Sequence, residues 1–206
     1  MNFKDYRVEE FLDDLSSTSP SPGGGSVAGL AAALAGSLNS MVYSLTINKK
    51  AFEKEDLEIK KLVLDFHEAS NKFIKISTEA MEKDREAFNK LMDCYKMPKS
   101  TEEEIALRDK AIYEKTIGAM MAPYELAKDC IKFYDNIDIA VKHGNKMLLS
   151  DAKCAAIFLH AAVEASIENV KINLGYISNK EYVEKIEKDI KDIFIESEKR
   201  KKYICG

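Results

Sequence analysis

Residues 15–48 read LSSTSPSPGGGSVAGLAAALAGSLNSMVYSLTIN and contain no charged side chain and no histidine. A segment this long without charge has to be buried, either among other parts of the protein or in lipid. Its first part holds Pro20, Pro22 and the consecutive glycines Gly23, Gly24 and Gly25, which break a membrane-spanning helix. Its second part carries Ser26, Ser37, Asn39, Ser40, Ser44 and Thr46, which make it weakly apolar for a bilayer. We therefore expect a helix buried inside a bundle, not a membrane anchor. Val27, Leu30, Leu34, Leu38, Met41, Val42 and Leu45 mark one face of it, and Gly29, Ala33, Gly36 and Ser40 another. The small face is expected to admit a close neighbour, either the helix starting near Ser150 or a second copy of the chain.

The remaining chain repeats the three-to-four residue apolar period of amphipathic helices. Val8, Phe11, Leu12 and Leu15 mark a short opening helix, and residues 56–95 read as one long helix lined by Leu62, Phe66, Phe73, Ala80, Phe88 and Leu91. Thr101 with Glu104 has the pattern of a capping box, and Pro123 is expected to kink or divide the helix that follows. Gly144 reads as a C-terminal cap, Ser150 as an N-cap, Gly175 as another stop, and Ser178 with Glu181 as a further capping box. Tyr182, Ile186, Ile190 and Ile193 form the apolar side of a charged last helix. No alternating strand appears. The expected fold is all-α, one domain over residues 1–206, a bundle of about six or seven helices.

Several function classes drop out on composition. The net charge is −4, so no basic field points to nucleic acid. Cys94, Cys130, Cys154 and Cys205 form no CxxC pair, and His67, His143 and His160 lack ligand spacing, so no metal site is expected. The N-terminus, MNFKDYRVEE, has mixed charge and is unlike a secretory leader, which fits a reduced, cytoplasmic setting.

Five places remain for chemistry. The glycine run lacks the lysine of a phosphate-binding loop, yet it offers free amides at a helix start, and a simple tight turn explains it equally well. Asp84 falls in the series Phe73, Ser77, Ala80, Asp84, Phe88, Leu91, on a face expected to be buried. A carboxylate there has to be paired, hydrogen-bonded or partly neutralised, which makes it either a proton-transfer group or a structurally satisfied acid. The turn HGNKMLLSD places Asn145, Ser150 and Asp151 together, where capping alone accounts for them. Asn169 and Asn173, one turn apart, need partners from another helix or from a bound heterocycle. Lys49 and Lys50 suit the end of the second helix first and a ligand second.

Taken in order, PSPGGGSVAGLAAALAGSLNSMVYSLTINKK, DREAF, KMPKST, GNKMLLSDA and ENVKINL resemble the cyclodeaminase/cyclohydrolase family of folate enzymes over nearly the whole chain. That resemblance implies an all-helical dimer acting on one-carbon tetrahydrofolates, with no cofactor beyond the tetrahydrofolate substrate. Two reactions are implied: closure of 5-formiminotetrahydrofolate with loss of ammonia, or hydrolysis of the methenyl bridge to 10-formyltetrahydrofolate. On the matching motifs, the implied catalytic residues are Asp84 and then Asp151. Gly23, Gly24, Gly25, Ser26, Asn145 and Ser150 are implied to bind the substrate, and Lys49 to attract its glutamate tail. A helical dimer that binds a small ligand or a partner protein without turnover is the other class that fits.

Overall fold

Six α-helices follow from the apolar period, and no strand occurs among the described residues, 2–206 of this computed structural model. They are α1 (Val8–Ser16), α2 (Gly24–Ile47), α3 (Leu57–Tyr95), α4 (Glu102–His143), α5 (Leu149–Leu174) and α6 (Lys180–Cys205). Short 3₁₀ turns lie at Phe3–Asp5 ahead of α1, and at Phe52–Lys54 and Lys146–Leu148 in the α2–α3 and α4–α5 connections. The all-α expectation holds.

The uncharged helix α2 packs against α3, α4 and α5. Ala28, Ala32 and Ala35 are fully buried in the main core with Leu159, Val163 and Tyr134, and Phe73 stacks on Phe133 at 3.9 Å. The small face meets α3 and not α5: Gly29 lies against Ser77 and Met81, Gly36 against Phe73 and Ile74, and Ser40 donates to Asn71. Helix α5 runs antiparallel to α2. Gly24 adjoins Asn169 near the end of α5, while Val42 shares a cluster with Ala152 near its start. Between α2, α3 and α4, Asn39 donates to Ser70 and Asn136, and Tyr43 donates to the Asn136 carbonyl. Those buried bonds fix the register of the three helices.

The capping details depart from the sequence pattern in places. Thr101 and Glu104 do form the capping box of α4. Ser150 is not a cap: Asn145 caps the 3₁₀ turn before it, and α5 starts at Leu149, which leaves Ser150 exposed in the first helical turn. The last helix is capped by Asn179, whose side chain accepts from Tyr182 N, and not by Ser178. Pro123 does not divide α4, because it is buried where α4 packs on its neighbours, and tertiary contacts outweigh the one lost backbone bond. In α1 only Phe11 is buried, while Val8 and Leu12 stay exposed. Leu34, Met41 and Leu45 of α2 are likewise exposed, as are Ile157 and Phe158 of α5. By length and composition α2 would cross a membrane, yet half of its most apolar window is buried inside the bundle.

Candidate active site

Helix α2 begins with no side chain to cap it, since its N-cap is Gly23. Its free amides need an acceptor from elsewhere. Asp84 of α3 supplies it. Ser26 Oγ donates to Asp84 Oδ2 at 3.0 Å, and the Ser26 backbone N–H also bonds the carboxylate. Gly25 is required by this approach: a Cβ there would sit 1.9 Å from Asp84 Oδ1. Asp84 therefore caps a helix through space and is also a half-buried acid. Burial pushes its carboxyl above the usual range, and the two bonds from Ser26 pull the other way without cancelling the rise.

The carboxylate opens into a cleft of about 370 Å³ lined by Gly23, Gly24, Gly25 and Asp84. Phe88 adds an aromatic wall, Thr116 a buried surface, and Tyr95 and Tyr176 an exposed rim. Asn169 and Asn173 of α5 face it as well. That is a largely apolar hollow with a few placed polar groups, the usual make-up of a small-molecule site. Among the described residues, no group of three His, Cys, Asp or Glu side chains is placed to hold a metal.

The other expected site residues lie elsewhere in the chain. Asn145 N donates to Thr46 Oγ1 at 2.8 Å, which ties the turn holding Asn145, Ser150 and Asp151 to the C-terminal end of α2. Lys49 is exposed just beyond that end. The length of α2, about 36 Å for its 24 residues, separates this group from the cleft. Thus Gly23, Gly24, Gly25, Ser26 and Asp84 come together, and Lys49, Asn145, Ser150 and Asp151 form a second group.

Comparison with known proteins concerns nearly the whole chain. Residues 7–192 match the family model described as formiminotransferase-cyclodeaminase. The chain belongs to that family. It is 31% identical over 190 residues to a methenyltetrahydrofolate cyclohydrolase of Methylorubrum extorquens, covering 92% of this chain and 89% of that relative. It is 30% identical over 202 residues to the rat formimidoyltransferase-cyclodeaminase, covering 98% of this chain but only 37% of the longer relative. Among solved structures, a formiminotetrahydrofolate cyclodeaminase from Thermotoga maritima aligns with a TM-score of 0.66 and 28% identity, over 98% of this chain and 93% of that one.

Sequence reading missed Tyr95, Thr116 and Tyr176 as cleft residues: Tyr95 and Tyr176 stand at or just past helix ends, and Thr116 reads as an ordinary position on the periodic face of α4. Asn169 and Asn173 did signal themselves, as a polar pair one turn apart in a segment that ought to be packed.

Proposed function

We propose that this protein is a folate one-carbon enzyme that interconverts tetrahydrofolate derivatives through 5,10-methenyltetrahydrofolate. The observation that carries the reading is Asp84, a half-buried carboxylate with a raised pKa, held by the first turn of α2 at the wall of a heterocycle-sized cleft. In cyclodeamination, N10 of 5-formiminotetrahydrofolate attacks the formimino carbon and gives up its proton. The resulting amine takes a proton and leaves as ammonia, and the methenyl bridge remains. In hydrolysis, water attacks that bridge and loses one proton, and the hydroxyl of the adduct gives up its remaining proton as the carbon–N5 bond breaks and N5 is protonated, which leaves 10-formyltetrahydrofolate. Both reactions need one group to take and return a proton at a tetrahedral carbon, and Asp84 is that group. Ser26 holds its orientation, and the amides of Gly23, Gly24 and Gly25 lie along the substrate.

The active unit is a homodimer in this reading. The exposed apolar side chains Leu34, Met41 and Leu45 of α2 and Ile157 and Phe158 of α5 are a surface for a second copy. Because α2 and α5 are antiparallel, a two-fold axis across them sets each cleft beside the other copy's Lys49, Asn145, Ser150 and Asp151. Asp151 then assists proton transfer, Asn145 and Ser150 orient the substrate, and Lys49 attracts the glutamate tail. No cofactor beyond the tetrahydrofolate substrate, no nucleic acid and no membrane enters this reading, and the protein works in the cytoplasm.

The test is to supply 5-formiminotetrahydrofolate and methenyltetrahydrofolate separately to purified protein and follow near-ultraviolet absorbance of the methenyl compound. Formation from the first substrate marks a cyclodeaminase, and loss from the second a cyclohydrolase. Tight binding of both with no turnover would sink the enzymatic reading.

A further inference from the structure

Asn169 and Asn173 line the cleft on α5, one helical turn apart. Each amide nitrogen is anchored by one of its two N–H donors. Asn169 Nδ2 donates to the Ala165 carbonyl at 2.8 Å, and Asn173 Nδ2 donates to the Asn169 carbonyl at 2.8 Å. Flipping either amide would set its oxygen against a backbone carbonyl oxygen, so the two ends of each amide are not interchangeable here. Neither Oδ1 accepts a hydrogen bond from another described residue. The bare Cα of Gly24 helps keep this arrangement, because a Cβ there would come within 3.0 Å of Asn169 Nδ2. Adjacent glycines thus serve opposite walls, Gly24 beside Asn169 and Gly25 beside Asp84.

We propose that the two Asn Oδ1 atoms form a subsite that reads N–H donors on the substrate's heterocycle. Resting on the folate reading above, those donors are the 2-amino group and a ring N–H of the reduced pterin. Fixed neutral acceptors suit neutral donors, and they keep a second negative charge away from Asp84, whose carboxyl burial already pushes up. The subsite holds the ring by one edge so that its N5–N10 region lies toward Asp84. Asn169 and Asn173 are binding and orienting residues in this scheme, and they move no proton.

The test compares tetrahydrofolate with its 2-desamino-2-methyl analogue by calorimetry, in the unchanged protein and in Asn169→Leu and Asn173→Leu. The unchanged protein should prefer tetrahydrofolate by about tenfold to a hundredfold, because the analogue leaves a desolvated acceptor unpaired. At least one variant should lose most of that preference, with its melting temperature held and KM changed more than kcat. A folded variant pair that binds tetrahydrofolate more weakly but keeps the full preference overturns the subsite. So does an unchanged protein that binds both compounds equally, whether or not the variants fold. An unchanged protein that binds neither compound overturns the folate reading itself, and the subsite with it.

Discussion

At the N-terminal end of α2, Asp84 accepts two hydrogen bonds from Ser26, is half-buried, and has its carboxyl pushed above the usual range. At the other end, Asp151 sits in the first turn of α5, half-buried, beside an exposed Ser150, with no hydrogen bond or ion pair to the described residues. Both acids lie in segments that resemble the same family, yet only one is enclosed by a cleft in its own chain. Proton transfer needs an acid whose two forms are close in free energy and whose position is fixed by neighbours. One chain supplies both conditions at Asp84. At Asp151 it supplies only a place in the first turn of α5, where an acid near a helix N-terminus is favourable on its own.

The sharpest way to break this contrast is Asp84→Asn. Turnover should fall by about 10² to 10⁴-fold, the usual scale of general acid–base contributions. The melting temperature should hold or rise. A carboxyl whose folded pKa lies above its unfolded value is favoured in the native state when protonated, so stability from this group is present at low pH and lost as pH rises. Replacing it removes that loss at neutral pH. With Asp84 acting as base, activity in the unchanged protein should drop as pH falls through the raised pKa, and that limb should be missing from the residual activity of the variant. A variant within about threefold of the unchanged enzyme moves the chemistry away from Asp84.

Next in size is Gly25→Ala, whose new methyl group collides with the Asp84 carboxylate. Melting temperature and turnover should fall together, turnover by about a hundredfold, because a displacement near 1 Å is enough at a reacting group. Gly23→Ala is its control: a Cβ there meets nothing within 4 Å, so the melt should be unchanged. If both variants melt alike, the close approach of α2 to Asp84 is not what Gly25 provides.

A third experiment joins the two ends of α2. Asp151→Asn should lower turnover by about tenfold or more, through the neighbouring copy's cleft. Mixing it with Asp84→Asn lets mixed dimers form one site with both acids intact, so activity should climb toward about a quarter of the unmodified level. A mixture that gives only the average of the two variants rules out shared sites. The smallest effect is expected from Lys49→Ala, which should raise KM about two- to threefold at low salt and leave kcat alone, the effect fading as ionic strength rises.

Much of the fold was legible along the chain. The apolar period marked every helix, the Thr101–Glu104 box marked the start of α4, and Gly175 the end of α5, because helix faces and caps are set by residues three or four positions apart. Errors gathered where tertiary packing overrides such local rules, as at the expected caps Ser150 and Ser178. The candidate site was half legible. Asp84 betrayed itself as an acid in an apolar series, and the glycines as an unusual run before a helix.

What the sequence by itself determined is a set of helices, the buried faces of most of them and a short list of polar residues out of place on them. Only the tertiary structure decided that Asp84 caps α2 across a gap of 58 residues from Ser26. It also decided that Gly29 and Gly36 meet α3, and that Asn145 and Asp151 lie a helix length away from the cleft. The physical reason is that periodicity and capping are properties of neighbours along the chain. Which helix end meets which side chain depends instead on how long helices pack, and that is fixed by contacts among residues distant in sequence.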